Sequence, residues 1–384
     1  MRLLIVYHAG AMPQARCIFR AVSRLENVQL TAAVPEKIEI EPLYSPGGWL
    51  YSGDEGSCDG YRYVALPLRN PKECNEGFDS RRLRELIAET APDIIHVLHE
   101  ATSGYLFQIA SERLRTYRSA KTLFYAFDNL PIRFRTVYSP LKWRSMWALL
   151  GGGAAANNEA LDHIRCAGFP KRKPLERIFW GIAMDVFKPI SRGAARLESG
   201  LDCEHVAGFV GRLVPEKGPA VFLDAVSLLP NSTHALVIGS GPMRSELAEL
   251  VARKNLSHRV HFRDAMAVDS LVRYLNCMDV LAVPSLTTPK WKEQYGRIIA
   301  EAMACGVPVV GSDSGAIPEV IESAGLVVGE NNALELAEAM KTVIHDKDIR
   351  NNLYASGLKR AQEHLSTEAM ARNLLRLYAR VLES

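Results

Sequence analysis

The chain has 384 residues, 48% of them hydrophobic and 23% charged, with a formal net charge of +3. That length exceeds one ordinary core and predicts two domains, and the composition excludes a disordered or fibrous chain. So small a charge gives no ground for a nucleic-acid partner, and no run of roughly eighteen apolar residues offers a transmembrane helix.

The opening stretch MRLLIVYHAG is broken early by Gly10 and Pro13, which argues against a signal peptide. Seven cysteines, an odd number without close pairs, read as reduced thiols rather than a disulfide framework. The expected location is therefore the cytoplasm.

Short apolar runs then recur between helical patterns. In the first half they are Leu3 to Tyr7, Val28 to Val34, Tyr63 to Leu66, Asp93 to Leu98 and Thr122 to Phe127. In the second half they are His205 to Val210, Ala235 to Gly239, Arg259 to Phe262, Val280 to Pro284, Val307 to Gly311 and Gly325 to Val328. Mostly apolar strands alternating with helices imply parallel sheets covered on both faces. The predicted architecture is α/β, doubly wound, and it occurs twice. The segment Ala183 to Ser191 breaks the rhythm, which sets domains of 1–185 and 186–365. The tail, 366–384, reads as an amphipathic helix with Met370, Leu374, Leu375, Leu377, Tyr378 and Leu382 on its apolar stripe. It is expected to cross back onto the first domain. Two such domains facing each other would place the carboxyl ends of both sheets at one cleft.

Five segments carry candidate chemistry. In DIIHVLHEATSGY, His99 and His96 follow or end a strand, and a core histidine is the plainer reading for each. In GFVGRLVPEKG, Arg212 and Lys217 project from a loop between a strand and a helix, where they would clamp a diphosphate. In VIGSGP, Gly239 and Gly241 suit close approach of a phosphate or base, although glycines often make such turns for packing alone. In KEQYGRIIAEAMACGVPVVGS, Glu293 and Glu301 flank Gly296, where a helix is expected to start and run to Ala304. Eight helical steps advance roughly 12 Å, close to the span of a nucleotide sugar from ribose to sugar ring. Amides at the helix start would lie between the carboxylates, where a pyrophosphate is favoured. A helix this rich in Ala, Ile and Met is mostly buried, so its glutamates need partners or a ligand. In SDSGAIPEVI, a further helix start follows Gly315.

Together these segments resemble the donor domain of the family-4 (group 1) retaining glycosyltransferases, which have the two-domain GT-B fold of facing Rossmann-like units. The likeness covers 205–330 almost continuously and is loose in the first half. It implies transfer of a sugar from a nucleoside-diphosphate sugar to an acceptor hydroxyl, with retention and without metal or other cofactor. Arg212 and Lys217 then resemble the pair that neutralises the diphosphate. Glu301 resembles the ribose-binding carboxylate, and Glu293 the one that contacts the transferred sugar. Backbone at Tyr295, Gly296 and Arg297 would support sugar and phosphate, with the base near Gly239 and the segment from Asp264 to Met266. His99 resembles the histidine that stabilises the sugar-like cation, with His96 the alternative. Gly10 would approach the donor phosphate. Asp128 and Asn129 would meet acceptor hydroxyls or simply form a turn. The acceptor is expected to be a saccharide, a lipid-linked sugar or a small molecule.

Other readings compete. A sugar phosphorylase or nucleotide-sugar epimerase of the same fold, and a nonenzymatic nucleotide-sugar-binding module, are the alternatives. No G-x-G-x-x-G opens either half, which disfavours a nicotinamide dehydrogenase. Asp346 and Asp348 form an Asp-x-Asp far from the donor motifs, and Gly151 to Gly153 lack a P-loop ending. Segment 132–150 interleaves Arg133, Arg135, Lys142 and Arg144 with Phe134, Tyr138, Trp143 and Trp147, as a membrane-surface patch does, although a core helix would also carry such aromatics.

Overall fold

The computed structural model describes residues 1–39, 49–53, 56–130, 140–201 and 203–384. The chain divides into two compact units, Met1–Gly181 with Thr367–Ser384, and Ile182–Ser366.

The first unit contains strands β1 (Arg2–Val6), β2 (Gln29–Pro35), β3 (Lys37–Glu39), β4 (Trp49–Tyr51), β5 (Gly56–Cys58), β6 (Tyr61–Leu66), β7 (Ile94–Val97), β8 (Lys121–Ala126), β9 (Leu150–Ala155) and β10 (Leu175–Arg177). The main sheet runs β10-β9-β8-β7-β1-β2-β6-β5, and β3 and β4 make a separate antiparallel ribbon. All neighbours from β6 to β10 are parallel, and only β5 pairs antiparallel, with β6. From β6 to β9 the order is that of a doubly wound nucleotide-binding sheet, and it reverses between β1 and β7. The apolar runs behave as expected of central strands: Leu3 to Val6, Ile94 to Val97 and Leu123 to Ala126 are buried.

Two parallel strands, β9 and β10, were not legible as apolar runs. The β9 sequence LGGGAA lacks the branched residues that favour strands. Its glycines are a packing requirement, since a Cβ at Gly153 would lie 2.3 Å from the Phe124 ring and one at Gly152 2.7 Å from Val381. Val381 belongs to the C-terminal helix, Thr367–Glu383, which packs on the Cys17–Ser23 helix and on β9. Met370, Leu374, Leu377, Tyr378 and Val381 are its buried face, whereas Leu382 is 44% exposed. The stripe therefore turns through Val381, one residue before its expected end.

The second unit contains β11 (His205–Val210), β12 (Thr233–Ile238), β13 (Val260–Arg263), β14 (Val280–Val283), β15 (Val309–Ser312) and β16 (Leu326–Val328). All pairs are parallel, in the order β13-β12-β11-β14-β15-β16. The same doubly wound order recurs, and here it reverses between β11 and β14. Phe222, Val237, Ala282, Val310 and Met340 lie in one buried cluster between the sheet and its helices. Both units are thus the doubly wound parallel α/β folds that the sequence predicts. No described helix is long and apolar enough to cross a membrane.

Candidate functional site

At the carboxyl ends of β11 and β14 the loops of the second unit are tied together by backbone. Leu286 N donates to Glu216 O at 2.8 Å, and Leu213 N to Ser240 O at 2.9 Å. Ala265 N reaches Ser240 Oγ at 3.3 Å, which draws in the loop that carries half-buried Met266. Open sheets of this order bind ligands at such a reversal, where two adjacent loops diverge to opposite faces.

Glu293 lies in the loop after β14 and is 6% exposed. Its Oε2 accepts from Lys217 Nζ at 2.7 Å and from Ser285 Oγ at 3.0 Å. Its Oε1 accepts from Gly296 N at 3.2 Å, and its backbone oxygen from Ala316 N at 2.9 Å. One buried residue, through its carboxylate and its backbone oxygen, therefore joins the loops after β11, β14 and β15. Lys217 Nζ also sits 4.7 Å from the Trp291 ring centroid. Removing either member of the pair would strand a charge, at a cost on the order of 3–5 kcal/mol. Arg212 is 52% exposed and only 3.8 Å from Glu216, so it is a surface cation beside the same loop.

The helix after Glu293 spans Arg297–Ala304, with Gly296 as its N-cap. Gly296 has φ +71°, and a Cβ there would lie 2.7 Å from Ile299 Cδ1. Glycine is thus already required by the backbone and by Ile299, whatever approaches from outside. Glu301 is 6% exposed, and its Oε1 holds Arg297 Nε at 2.7 Å. Burial raises the Glu301 carboxyl above its ordinary range, and Arg297 opposes that shift. Arg297 therefore brings a side chain as well as an amide to this site. Tyr295 is 4% exposed, and burial raises its phenol well above the usual range.

Gly239 and Gly241 serve the loop scaffold. A Cβ at Gly239 would lie 1.8 Å from Gly211 O, and one at Gly241 2.4 Å from Leu213 O. Gly218 is equally constrained, since its Cβ would meet Pro284 O at 1.9 Å. These contacts clamp the β11, β12 and β14 loops to one another, so the packing explanation for the glycines suffices.

In the first unit, the carboxyl ends of β1 and β7 place two histidines together. The His8 and His99 rings are 4.8 Å apart, and Tyr105 lies 5.1 Å from His99. Burial lowers both histidines to about 4, with each ring's neighbour adding to the effect at His8. Neither Nδ1 has a hydrogen-bond partner. Next to them Glu100 Oε1 accepts from Phe127 N at 2.8 Å and Asp128 N at 3.3 Å. Burial still pushes Glu100 up to about 7 against those two amides. His96 is fully buried and bonds the Tyr378 hydroxyl at 2.8 Å, which makes it a core histidine. Asp128 closes a turn onto Leu130 N, and Asn129 is fully buried. Gly10 is buried as well, with Val34 and Phe19 each within 3 Å of a Cβ placed there. Internal packing therefore already requires glycine at position 10.

His8, Glu100, Ser285 and Trp291 were missed as site residues. His8 carried a signal, because it directly follows the first strand as His99 follows β7. Ser285 and Trp291 carried none beyond lying in the loop before Glu293.

The remaining expectations resolve simply. Trp143 and Trp147 are 6% and 1% exposed and belong to the first unit's core, so they are not surface anchors. Residues 132–139 of that segment lie outside the described residues. Asp346 caps the Lys347–Arg360 helix by accepting from Asp348 N and Ile349 N, which accounts for the Asp-x-Asp.

The second unit is a doubly wound α/β domain with a loop cation and a buried carboxylate paired at the sheet reversal, where such folds bind ligands. Residues 197–360, most of the second unit, match the family model of the glycosyl transferases group 1. The D-inositol 3-phosphate glycosyltransferase of Rhodococcus jostii is 33% identical over 211 residues, 52% of this chain and 45% of that protein. Its counterpart in Mycobacteroides abscessus is 33% identical over 215 residues, 53% of this chain and 45% of that protein. The chain thus spans less than half the length of these curated relatives. A glycosyltransferase from Rickettsia africae superimposes with TM-score 0.74 at 17% identity, covering 100% of this chain and 99% of that one. Anabaena HepE in complex with UDP gives TM-score 0.72 at 17% identity, covering 99% and 100%. At that identity the likeness is one of fold.

Proposed function

We propose that this protein transfers a sugar from a nucleoside-diphosphate sugar to an acceptor hydroxyl, retains the anomeric configuration, and needs no metal ion. The observation that carries this reading is the Lys217–Glu293 pair at the β11/β14 reversal, within the segment that matches the glycosyl transferases group 1. Lys217 and exposed Arg212 would neutralise the diphosphate as the leaving group departs. Glu293 would grip hydroxyls of the transferred sugar, its carboxylate positioned by Lys217, Ser285 and the Gly296 amide. Glu301 would hold the ribose, sharing its carboxylate with Arg297. His99 would stabilise the developing sugar cation, and an uncharged imidazole with a free Nδ1 suits that role near neutral pH. Retention follows if the departing phosphate takes the acceptor proton on the same face, with the protein supplying position and charge. The curated relatives act on an inositol phosphate, which favours a hydroxyl-rich acceptor. UDP bound to a protein of the same fold makes uridine diphosphate the first donor product to test.

The test is a thermal-shift screen of nucleoside diphosphates, followed by release of nucleoside diphosphate from the matching sugar donor. Stabilisation by one nucleotide, and release that requires an acceptor, support transfer. Release without an acceptor, or no stabilisation by any nucleoside diphosphate, would overturn it.

A further inference from the structure

The first unit has a second feature, remote from its histidine pair. A surface cavity of about 600 Å³ opens at the amino ends of β8 and β9, the opposite end of the sheet from His8 and His99. Arg113, Arg118, Lys121, Arg172 and Lys173 line it, and none of its lining side chains is acidic. None of the five forms an ion pair among the described residues.

Two of these cations are built into the fold. Lys173 Nζ donates to Trp147 O at 2.8 Å and Ala148 O at 3.1 Å, at the end of the Pro140–Leu149 helix. Arg113 is 7% exposed and donates to Arg118 O at 3.1 Å and Leu149 O at 2.8 Å. Carbonyls satisfy these protons but leave the positive charge uncompensated. Arg113 Nε is buried with no hydrogen-bond partner at all. A buried donor on a charged group is costly to leave unsatisfied, so Arg113 keeps an unspent positive charge beside the cavity. The Lys173 ammonium is held below its ordinary range by burial and by Arg172, Lys121 and Arg113, so the cluster repels itself. Lys121 and Arg172 complete the wall.

We infer that this cavity is a binding site for a phosphate-bearing anion, either a free phosphate or the phosphomonoester headgroup of a lipid. Guanidinium forks match phosphate oxygens bidentately, and flexible lysines add charge from the side. Its place at the amino ends of the strands separates it from the carboxyl-end chemistry of the same sheet.

The experiment uses the full chain carrying Arg212→Ala, which weakens the proposed donor site without breaking the buried Lys217–Glu293 pair. Inorganic phosphate is titrated by calorimetry. Co-sedimentation is measured with vesicles of phosphatidylcholine alone and with phosphatidic acid added. Lys121→Glu with Arg172→Glu on that background is the site variant, checked for an unchanged unfolding temperature in phosphate-free buffer. Arg118→Ala serves as a milder second variant. Phosphate binding weakened by about tenfold or more in the site variant supports a free-phosphate site. Selective sedimentation with phosphatidic acid, lost in the same variant, supports the lipid source. Binding that both variants retain, or no binding of either probe, would overturn the inference.

Discussion

The Lys217 ammonium lies 2.7 Å from Glu293 Oε2, and Ser285 Oγ shares that oxygen at 3.0 Å. The pair fastens two loops that belong to different crossovers of one sheet. Lys217→Met alone should destabilise the second unit by about 3 kcal/mol, because it strands a carboxylate that is 6% exposed. Adding Glu293→Gln should recover a large part of that loss. Denaturant unfolding of the four proteins in a double-mutant cycle measures the coupling. Additive losses would show that the two residues do not interact.

Glu301→Ala should weaken nucleoside diphosphate binding by about tenfold or more, the order expected for a lost charged hydrogen bond. Glu293→Ala, by contrast, should spare the nucleotide and depress sugar transfer. Calorimetry with the nucleotide that stabilises the protein separates the two. Equal affinity in wild type and Glu301→Ala would exclude the ribose assignment.

With Arg212 and Lys217 as the diphosphate's counter-charges, turnover should persist in EDTA. Arg212→Ala should cut it by about 100-fold, as loss of a transition-state charge contact does. Because Arg212 is half exposed, this variant should unfold at the wild-type temperature. Activity abolished by chelation and restored by Mg²⁺ would refute the cationic clamp.

The His8 and His99 rings should remain uncharged down to about pH 4, where burial holds both. A histidine with a lowered folded pKa favours folding above its unfolded value near 6.5 and loses that contribution as pH falls towards 4. Glu100, raised to about 7, behaves oppositely: its contribution is intact below about 4.5 and fades as pH rises through 7. Glu100→Gln should therefore lose less stability than wild type between pH 5 and 7. Chemical denaturation at each pH checks this, and parallel curves would mean that Glu100 titrates normally.

His99→Ala should lower turnover by about 100-fold or more while nucleotide affinity stays near wild type, since the missing ring acts on the developing cation. Normal turnover would turn attention to His8, whose tilted ring lies 4.8 Å from it.

Much of the fold was legible because buried parallel strands leave continuous apolar runs. All eleven expected runs overlap strands of the two main sheets by more than half of their length, Thr122 to Phe127 being shifted one residue from β8. Strand β9 escaped because its glycines answer to Phe124 and Val381, which are distant in sequence. The second unit's site was legible for a different reason. Arg212, Lys217, Glu293 and Glu301 fall in short loops and helix starts, where local spacing carries the pattern. Ser285 and Trp291 escaped because they matter only through contact with Glu293 and Lys217.

The sequence alone determined the two α/β units, the loop cations and the buried glutamates, since each follows from local periodicity and residue chemistry. Tertiary structure decided what those residues touch. It packed Gly10, Gly239 and Gly241 too tightly for a side chain, brought His8 beside His99, and hid Trp147 in the core. It also gathered five cations from one helix end, the loop after it, the start of β8 and the loop before β10 around one cavity. Local pattern cannot report such outcomes, because they depend on which backbone segments the parallel crossovers bring side by side.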